Sequence, residues 1–401
     1  MRLCRAIVAA AAVVLMISCG PKSLDPRGEV NLWIPQEMEE LQAVADSIDG
    51  LSLNVTVAGE SWLSRLKEEN NPPALVYTDL NNDVTEGFDA GLMLDLSPYL
   101  DRMQVAERML AGFAGLSATD TGTRLFLPAA AYSWGLYYNV EILASHGVHI
   151  TDNWDEWLAA LEKLKNADVV PIALGSSFGW PALAWVSYLD LRINGGAMHA
   201  QLLDGARSFD DPSMLTVYRT LEQWRDKGYF NTDASKMNWP ESLELVGSGQ
   251  AAFVLMGTFC EARMPNREQI AFAPVPVAGN EEDRGELAGI EGFAVAGGAP
   301  APEAALALAD RYIAAGEPRP TKAGYIISVI EPQDDTSARR DDLAAVQTEI
   351  FESADIVVPQ LDRYLPAQAA YDINRVLARF FDPGFDMSAD NLARILTNIR
   401  P

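Results

Sequence analysis

Two hydrophobic periods alternate along this chain. Val30 to Ile34 is a short apolar run carrying Trp33, and Leu51 to Val57 alternates apolar and polar residues, so both read as strands. Between them, Leu41, Val44 and Ile48 recur at helical spacing and predict a helix over Glu37 to Ile48. Ala74 to Thr78 is a third strand. Strands exchanging with helices in this way predict a mostly parallel α/β sheet, whose ligands sit beyond the carboxyl ends of the strands. That rule puts Trp33, Gln36, Glu37, Thr78 and Asp79 on one rim.

The stretch that organises the rest is Arg124 to Asn139 (RLFLPAAAYSWGLYYN). It predicts a strand over Arg124 to Leu127, a proline and three alanines, an exposed step at Tyr132-Ser133-Trp134, and a second strand over Gly135 to Asn139. A chain leaving one α/β lobe for another would have this form. Tyr132 and Trp134 then sit where the lobes meet, with Trp134 favoured for ligand contact and Tyr137-Tyr138 for packing.

Beyond it the same grammar resumes. Asn153 caps a helix whose Trp154, Trp157, Leu158, Leu161 and Leu164 form one stripe, with Glu156 in the capping-box position. Val169 to Leu174 is a buried strand, and Pro181 opens the next helix. Asp211-Pro212 starts a helix that Gly228 ends, and Asn238-Trp239-Pro240 starts another that stops at Gly247. Ala251 to Met256 is a strand delivering Gly257-Thr258-Phe259 at its end. Gly289 to Val295 reads as a strand returning to the first lobe and Thr321 to Ile330 as a third crossing, with helices over Pro302 to Ala315, Asp341 to Ser353, Pro366 to Phe381 and Ser388 to Ile399.

Composition narrows the partners. The chain has 401 residues, enough for two or three domains, and is 49% hydrophobic and 21% charged, as soluble globular proteins are. Its formal charge is −26, so it repels phosphate backbones and anionic headgroups; nucleic acid and a peripheral membrane helix are excluded as partners. At the start, Arg2 and Arg5 precede the uncharged run Ala6 to Ile17 and the small residues Ser18, Cys19 and Gly20, the pattern of an export signal too short to span a bilayer. Met16-Ile17-Ser18-Cys19 resembles a bacterial lipoprotein signal, which makes Cys19 the lipidated first residue of the mature chain. Only Cys260 then remains, so no internal disulfide can form.

Several motifs suggest chemistry and fall short of it. Gly175-Ser176-Ser177-Phe178-Gly179 fits the G-x-S-x-G elbow of a hydrolase, yet the last histidine, His199, follows too closely to be the late catalytic base of that fold. Asp79, Asn81 and Asp83 begin like a calcium loop, but Val84 and Ala90 stand where glycine and a bidentate glutamate belong. His146 and His149 have no third ligand near them, and no phosphate-binding glycine loop is present. No cofactor or metal is expected. Among 56 acidic residues some pair will approach glycosidase spacing by chance. What rises above background is a set of aromatics just after strands in both halves: Trp33, Tyr132, Trp134, Phe178, Trp180, Trp239 and Phe259. Flat rings cover the C–H face of a sugar while neighbouring polar groups take its hydroxyls.

Taken in order, VYTDL at Val76, GLMLDLSPYLD at Gly91, LPAAAYSWGLYYN at Leu127, NWDEWLAALEKLK at Asn153, PIALG at Pro171, SFDDP at Ser208, GYF at Gly228, GSGQAAFVLMGTF at Gly247 and GIEGFAV at Gly289 resemble the family 1 extracellular solute-binding proteins of ABC sugar importers. The resemblance runs from Val30 to about Ile399. It implies the type II periplasmic binding protein fold, two α/β lobes joined by three hinge crossings around a cleft. On that basis residues 1–18 are a signal peptide, 19–28 a tether, 29–130 with 293–325 the first lobe, and 131–292 with 326–401 the second. It implies ligand contacts at Trp33, Gln36, Glu37, Thr78, Asp79, Tyr132, Ser133, Trp134, Phe178, Trp180, Asn238, Trp239, Gly257, Thr258, Phe259, Glu291 and Tyr325. Phe259 stands where the family commonly has Trp, and LWIPQE lacks the aromatic run of many members. The implied function is capture of a carbohydrate and its delivery to permease subunits with a cytoplasmic ATPase by a monomeric, membrane-tethered, non-enzymatic protein. The alternatives are a solute sensor or a binder of another solute, and a secreted glycosidase or esterase.

Overall fold

The computed structural model describes residues 24–34, 40–58, 62–69, 72–110, 113, 122–277, 284–314, 319–321, 324–328 and 342–399. Its strands are β1 (Gly28–Ile34), β2 (Leu51–Val57), β3 (Leu75–Asp79), β4 (Leu127–Asn139), β5 (Val170–Ala173), β6 (Ala251–Gly257), β7 (Ile270–Ala273), β8 (Gly285–Val295), β9 (Arg319–Thr321), β10 (Gly324–Ser328) and β11 (Ile356–Val358). In the first half the order is β2-β1-β3-β8-β4, with β1 parallel to β2 and β3 and β8 antiparallel to β3. In the second, β6 lies between β5 and β4, and β7 takes the other edge of β4.

β4 belongs to both halves. From Leu127 to Ser133 it pairs with β8, and from Trp134 it pairs with β6, so the change of partner falls between Ser133 and Trp134. The second strand read from the sequence, Gly135 to Asn139, is the end of one strand of 13 residues that starts at Leu127, and Arg124 to Phe126 of the first lie before it. The proline that suggested a break is absorbed by a bulge between Pro128 and Ala130, where one missing N–H and an unpaired alanine cost little. The step at Tyr132-Ser133-Trp134 is not exposed, as its pattern suggested, but buried at 9%, 0% and 3% exposure. Burial follows from the strand's position: both edges are paired and helices cover its faces.

β8 is the second crossing. It begins at Gly285, earlier than its sequence reading at Gly289, because Gly285 to Leu287 pair with β11 before the chain passes β4 and β3. The third, read over Thr321 to Ile330, is the short hairpin β9–β10, with Ile327 and Ser328 against Ala131 and Ala130 of β4. Within the described residues the predicted helix over Glu37 to Ile48 runs Glu40–Asp46, ending two residues early.

The helix Trp180–Asn194 is buried on all sides, packed between the helices Pro212–Asp226 and Ala367–Phe380 and the strands β6 and β8. A helix apolar on nearly every side belongs inside a large core. Its two charged residues are paired there. Arg192 Nη2 donates to Glu286 of β8 at 2.7 Å, and Asp190 holds both Arg207 (2.9 Å) and His199 Nδ1 (2.8 Å). Tyr188 of the same helix donates its hydroxyl to Trp134 O at 2.8 Å and to Glu286 at 3.2 Å, fixing the point where β4 changes lobe. Helix starts follow the capping signals: Asn153 accepts from Glu156 N, Asp211 from Ser213 N, and Asn238 forms a reciprocal capping box with Glu241. Glu156 does not complete such a box; it accepts instead from Thr151 Oγ1.

Candidate ligand-binding cleft

Trp134 is the first residue of β4 paired to the second half, and its partner is Gly257 at the end of β6. The chain there turns into a 3-10 helix, Thr258–Arg263, which brings the Phe259 ring back over the strand end. Only glycine permits this at 257, since a Cβ would lie 2.6 Å from that ring. Two helix starts point at the same place: Trp180 opens Trp180–Asn194 and Trp239 opens Trp239–Gly247. The result is one cluster of five rings. Phe259 touches the other four, with centroids 5.3 Å from Tyr132, 5.8 Å from Trp134, 6.1 Å from Trp180 and 5.6 Å from Trp239. Trp180 also meets Trp134 (5.9 Å) and Trp239 (6.2 Å). Tyr132 and Trp134 form the buried floor, while Trp180, Trp239 and Phe259 keep part of their surface open. The Arg263 guanidinium lies 5.3 Å over Trp239.

The loop before Trp180 is the apparent nucleophile elbow, and its glycines have a packing reason. A Cβ on Gly175 would fall 2.0 Å from Asn238 O, and one on Gly179 would fall 1.8 Å from Asn374 O. The loop thus wedges between the Trp239 helix and the helix Ala367–Phe380, with Ser177 N donating to Met237 O at 3.0 Å. His199 is buried against Asp190, in a separate constellation from Ser177.

Facing the rings is a polar group at the carboxyl end of β3. Asp79 pairs in register with Glu291 of β8, and Glu291 pairs also with Ala130 of β4. Tyr77 donates its hydroxyl to Glu291 Oε2 at 2.8 Å. Burial, and then the nearby Asp79 carboxylate, push the Glu291 carboxyl up to about 7. Arg363 Nη1 reaches Asp79 Oδ2 at 3.3 Å. Beside it, burial raises the Asp362 carboxyl above its ordinary range; Asn374 donates to its Oδ2 at 3.2 Å, and its Oδ1 is buried with no partner among the described residues. The Tyr132 hydroxyl is raised by burial and by the neighbouring Asp79, Glu291 and Asp362, partly countered by Arg363. Aromatic floor and carboxylates therefore meet at Tyr132.

Of the residues singled out from sequence, Tyr132, Trp134, Trp180, Trp239, Gly257 and Phe259 come together as rings and turn, and Asp79 and Glu291 lie at their edge. Ser133 N and Thr258 Oγ1 both donate to the buried Gln347 Oε1, at 3.4 and 3.0 Å. The Asn238 side chain accepts from Glu241 N at its helix start. Three residues stand apart from the ring cluster. Trp33 is buried at the end of β1 under Arg65, 4.5 Å from its centroid; Thr78 is buried and accepts from Trp62 Nε1 at 3.0 Å; Phe178 is 68% exposed at its loop tip. Gln36, Glu37 and Cys19 lie outside the described residues, as does the side chain of Tyr325.

Sequence reasoning passed over Gln347, Gln360, Asp362, Arg363 and Asn374. Gln360 Nε2 donates to Trp180 O at 2.7 Å, which locks the turn Leu361–Arg363 against the aromatic floor. The signal was the three-residue strand β11 just before it: with that strand identified, the same post-strand rule would have pointed to Gln360 through Arg363.

Residues 54–316 match the family of bacterial extracellular solute-binding proteins. The chain belongs to that family. Over 150 residues it is 25% identical to an uncharacterized ABC transporter extracellular-binding protein of Pyrococcus horikoshii, and over 124 residues 30% identical to a second from the same organism. The matched stretches span 35% and 28% of those relatives and 37% and 30% of this chain. Solved structures cover more. The bacterial solute receptor AcbH, described as having an exclusive preference for β-D-galactopyranose, superposes with a TM-score of 0.76 at 16% identity, covering 94% of this chain and 97% of its own. A probable secreted solute-binding lipoprotein from Streptomyces coelicolor gives 0.75 at 16% identity over 92% and 98%, and a chitin oligosaccharide binding protein 0.72 at 18% over 94% and 98%. The fold is that of a type II periplasmic binding protein, two α/β lobes joined by crossings around a cleft. The chain therefore shares its family with extracellular binding proteins rather than enzymes.

Proposed function

We propose that this solute-binding protein captures a carbohydrate between its lobes and delivers it to the permease of an ABC importer driven by a cytoplasmic ATPase. The observation that carries this reading is the five-ring cluster centred on Phe259, built where β4 passes between lobes and bordered by Asp79, Glu291 and Asp362. Rings take the apolar face of a pyranose, and carboxylates accept from its hydroxyls. In this reading residues 29–130 with 293–325 form one lobe and 131–292 with 326–401 the other, and the protein works as a monomer tethered through lipid on Cys19. Closure is a hinge motion that ligand drives through contacts better made in the closed state, so residues of both lobes must touch it.

A thermal-shift screen of mono- and oligosaccharides tests it. A sugar at about 100 times its dissociation constant adds roughly 2.7 kcal/mol of stability. Shifts with amino acids or polyamines and none with sugars would change the ligand class.

A further inference from the structure

β2 is the outer strand of its sheet: among the described residues it pairs only with β1, along one side. The phase of that ladder is set at its two ends, where Gly28 N donates to Gly50 O and Ala58 N donates to Ile34 O. Alternation then turns the N–H and C=O groups of residues 52, 54 and 56 toward β1 and those of Leu53, Val55 and Val57 outward. An open edge of this kind is a template for another strand, and proteins guard such edges with charge, proline or a bulge. β2 has none of these. Its seven residues, LSLNVTV, are uncharged in a chain of net charge −26 and pair with β1 without a register shift. Two large apolar side chains on it are exposed, Val55 at 41% and Val57 at 53%.

The strand also reads alike in both directions. Apolar and polar residues alternate symmetrically about Asn54. A second copy laid antiparallel therefore sets Leu53 against the partner's Val55, Ser52 against the partner's Thr56 and Leu51 against the partner's Val57. The outward backbone groups of Leu53 and Val55 then meet outward groups and form hydrogen-bonded pairs, while Asn54 faces the partner's Asn54 in a non-hydrogen-bonded pair on the two-fold axis. A slip of one residue loses both matches, opposing outward to inward backbone groups and apolar to polar side chains.

We propose that β2 is a self-association edge: two copies of this chain join antiparallel through Leu51–Val57 about a two-fold axis at Asn54, covering Val55 and Val57. A second copy fits better than a foreign peptide because polarity, face and backbone phase all match the strand itself. The uncharged edge lets two acidic molecules approach, and salt strengthens the pair by screening the rest of their surfaces. A single seven-residue edge per copy belongs with small interfaces, below about 1,200 Å², so the pair is weak in dilute solution. The inference goes beyond the carbohydrate reading and does not depend on it. Each copy keeps its own cleft and captures ligand as a monomer, and the lipid tether proposed above raises the concentration at which copies meet.

The test is sedimentation and cysteine cross-linking of the mature chain from Gly20 onward, without lipid. It is expected to be monomeric at about 1 μM and to dimerise with a dissociation constant between about 10 μM and 1 mM, tighter at about 0.5 M salt than at about 0.05 M. Val55→Glu, at an exposed position, should weaken the dimer at least about tenfold and leave sugar affinity unchanged. Asn54 is exposed as well, and Asn54→Cys should form a disulfide dimer on mild oxidation, since a pair on the axis lies about 4.5 Å apart at Cα, within disulfide reach. Ser52→Cys, about 14 Å from its counterpart in the same register, should cross-link at least about tenfold more slowly. The native Cys260 is buried. A chain that stays monomeric up to about 1 mM, a dimer unaffected by Val55→Glu, or equal cross-linking at positions 52 and 54 overturns the proposal. None of these outcomes touches the carbohydrate reading, which the thermal-shift screen decides separately.

Discussion

Phe259 is the residue on which the site depends, because it alone touches all four other rings. The faces left partly open belong to Trp180 and Trp239, so their loss removes contact area without opening the buried floor. Trp180→Ala and Trp239→Ala are each expected to weaken the bound sugar by about tenfold or more, corresponding to about 1.4 kcal/mol or more, and to lower the ligand-free melting temperature as well, because both rings pack on the core. Unchanged affinity for every bound sugar would remove the platform assignment. Glu291 makes a prediction of another kind. Its carboxyl is held at about 7 when folded against 4.5 ordinarily, so the folded state binds the extra proton between those values. The stabilisation is present in full below about pH 4.5 and is lost as pH rises through about 7. Replacing Glu291 with Gln should flatten that part of the stability profile by about 1–2 kcal/mol, allowing for solvent screening at a half-buried site. Urea denaturation of both proteins at about pH 5 and pH 8 checks the sign.

Among the elements, the loop 175–179 shows most plainly how a sequence motif and its structural role can part. Its spacing matches a catalytic elbow, yet each terminal glycine lies against the backbone of another element, Asn238 on one side and Asn374 on the other. Gly179 also has φ +82°, a conformation that L side chains rarely adopt. Gly179→Ala should therefore force the loop off the helix Ala367–Phe380 and shift Trp180, costing roughly 2–4 kcal/mol in denaturant unfolding and weakening ligand binding with it. Ser177→Ala, at an exposed position with only its backbone N–H engaged among the described residues, should leave stability within about 0.5 kcal/mol and binding intact. A catalytic serine would instead show turnover of a chromogenic ester or glycoside that Ser177→Ala abolishes.

At the scale of the molecule, β4 and β8 each pair with strands of both halves, so relative motion of the lobes must be absorbed near the partner change at Ser133 and Trp134. Tyr188 and Gln347 brace that point, one at Trp134 O and the other at Ser133 N. Saturating ligand should reduce the radius of gyration in small-angle scattering, and the reduction should be lost when Trp180 and Trp239 are both replaced by Ala. A ligand that binds tightly with no change in radius would mean that the lobes do not close on it.

The order of strands and helices, the positions of helix caps and the place where the chain crosses between lobes could all be read locally, because periodicity, capping residues and glycine stops act over a few neighbouring residues. The crossing at Arg124 to Asn139 is a case in point, although the single strand there depends on long-range pairing with β8 and β6. Which aromatics form one cluster could not be read in this way. Trp33, Phe178 and Trp239 all follow or approach strand ends, yet only Trp239 reaches Phe259, since that depends on where helices and strands far apart in sequence are packed. The carboxylate edge shows the same division. Asp79 and Glu291 stood out through their strands, whereas Asp362 and Arg363 joined them only because a three-residue strand, β11, pairs with β8 and its following turn bonds Trp180 O. Local sequence determined the elements; tertiary packing decided the site, because its residues are brought together by contacts hundreds of residues apart.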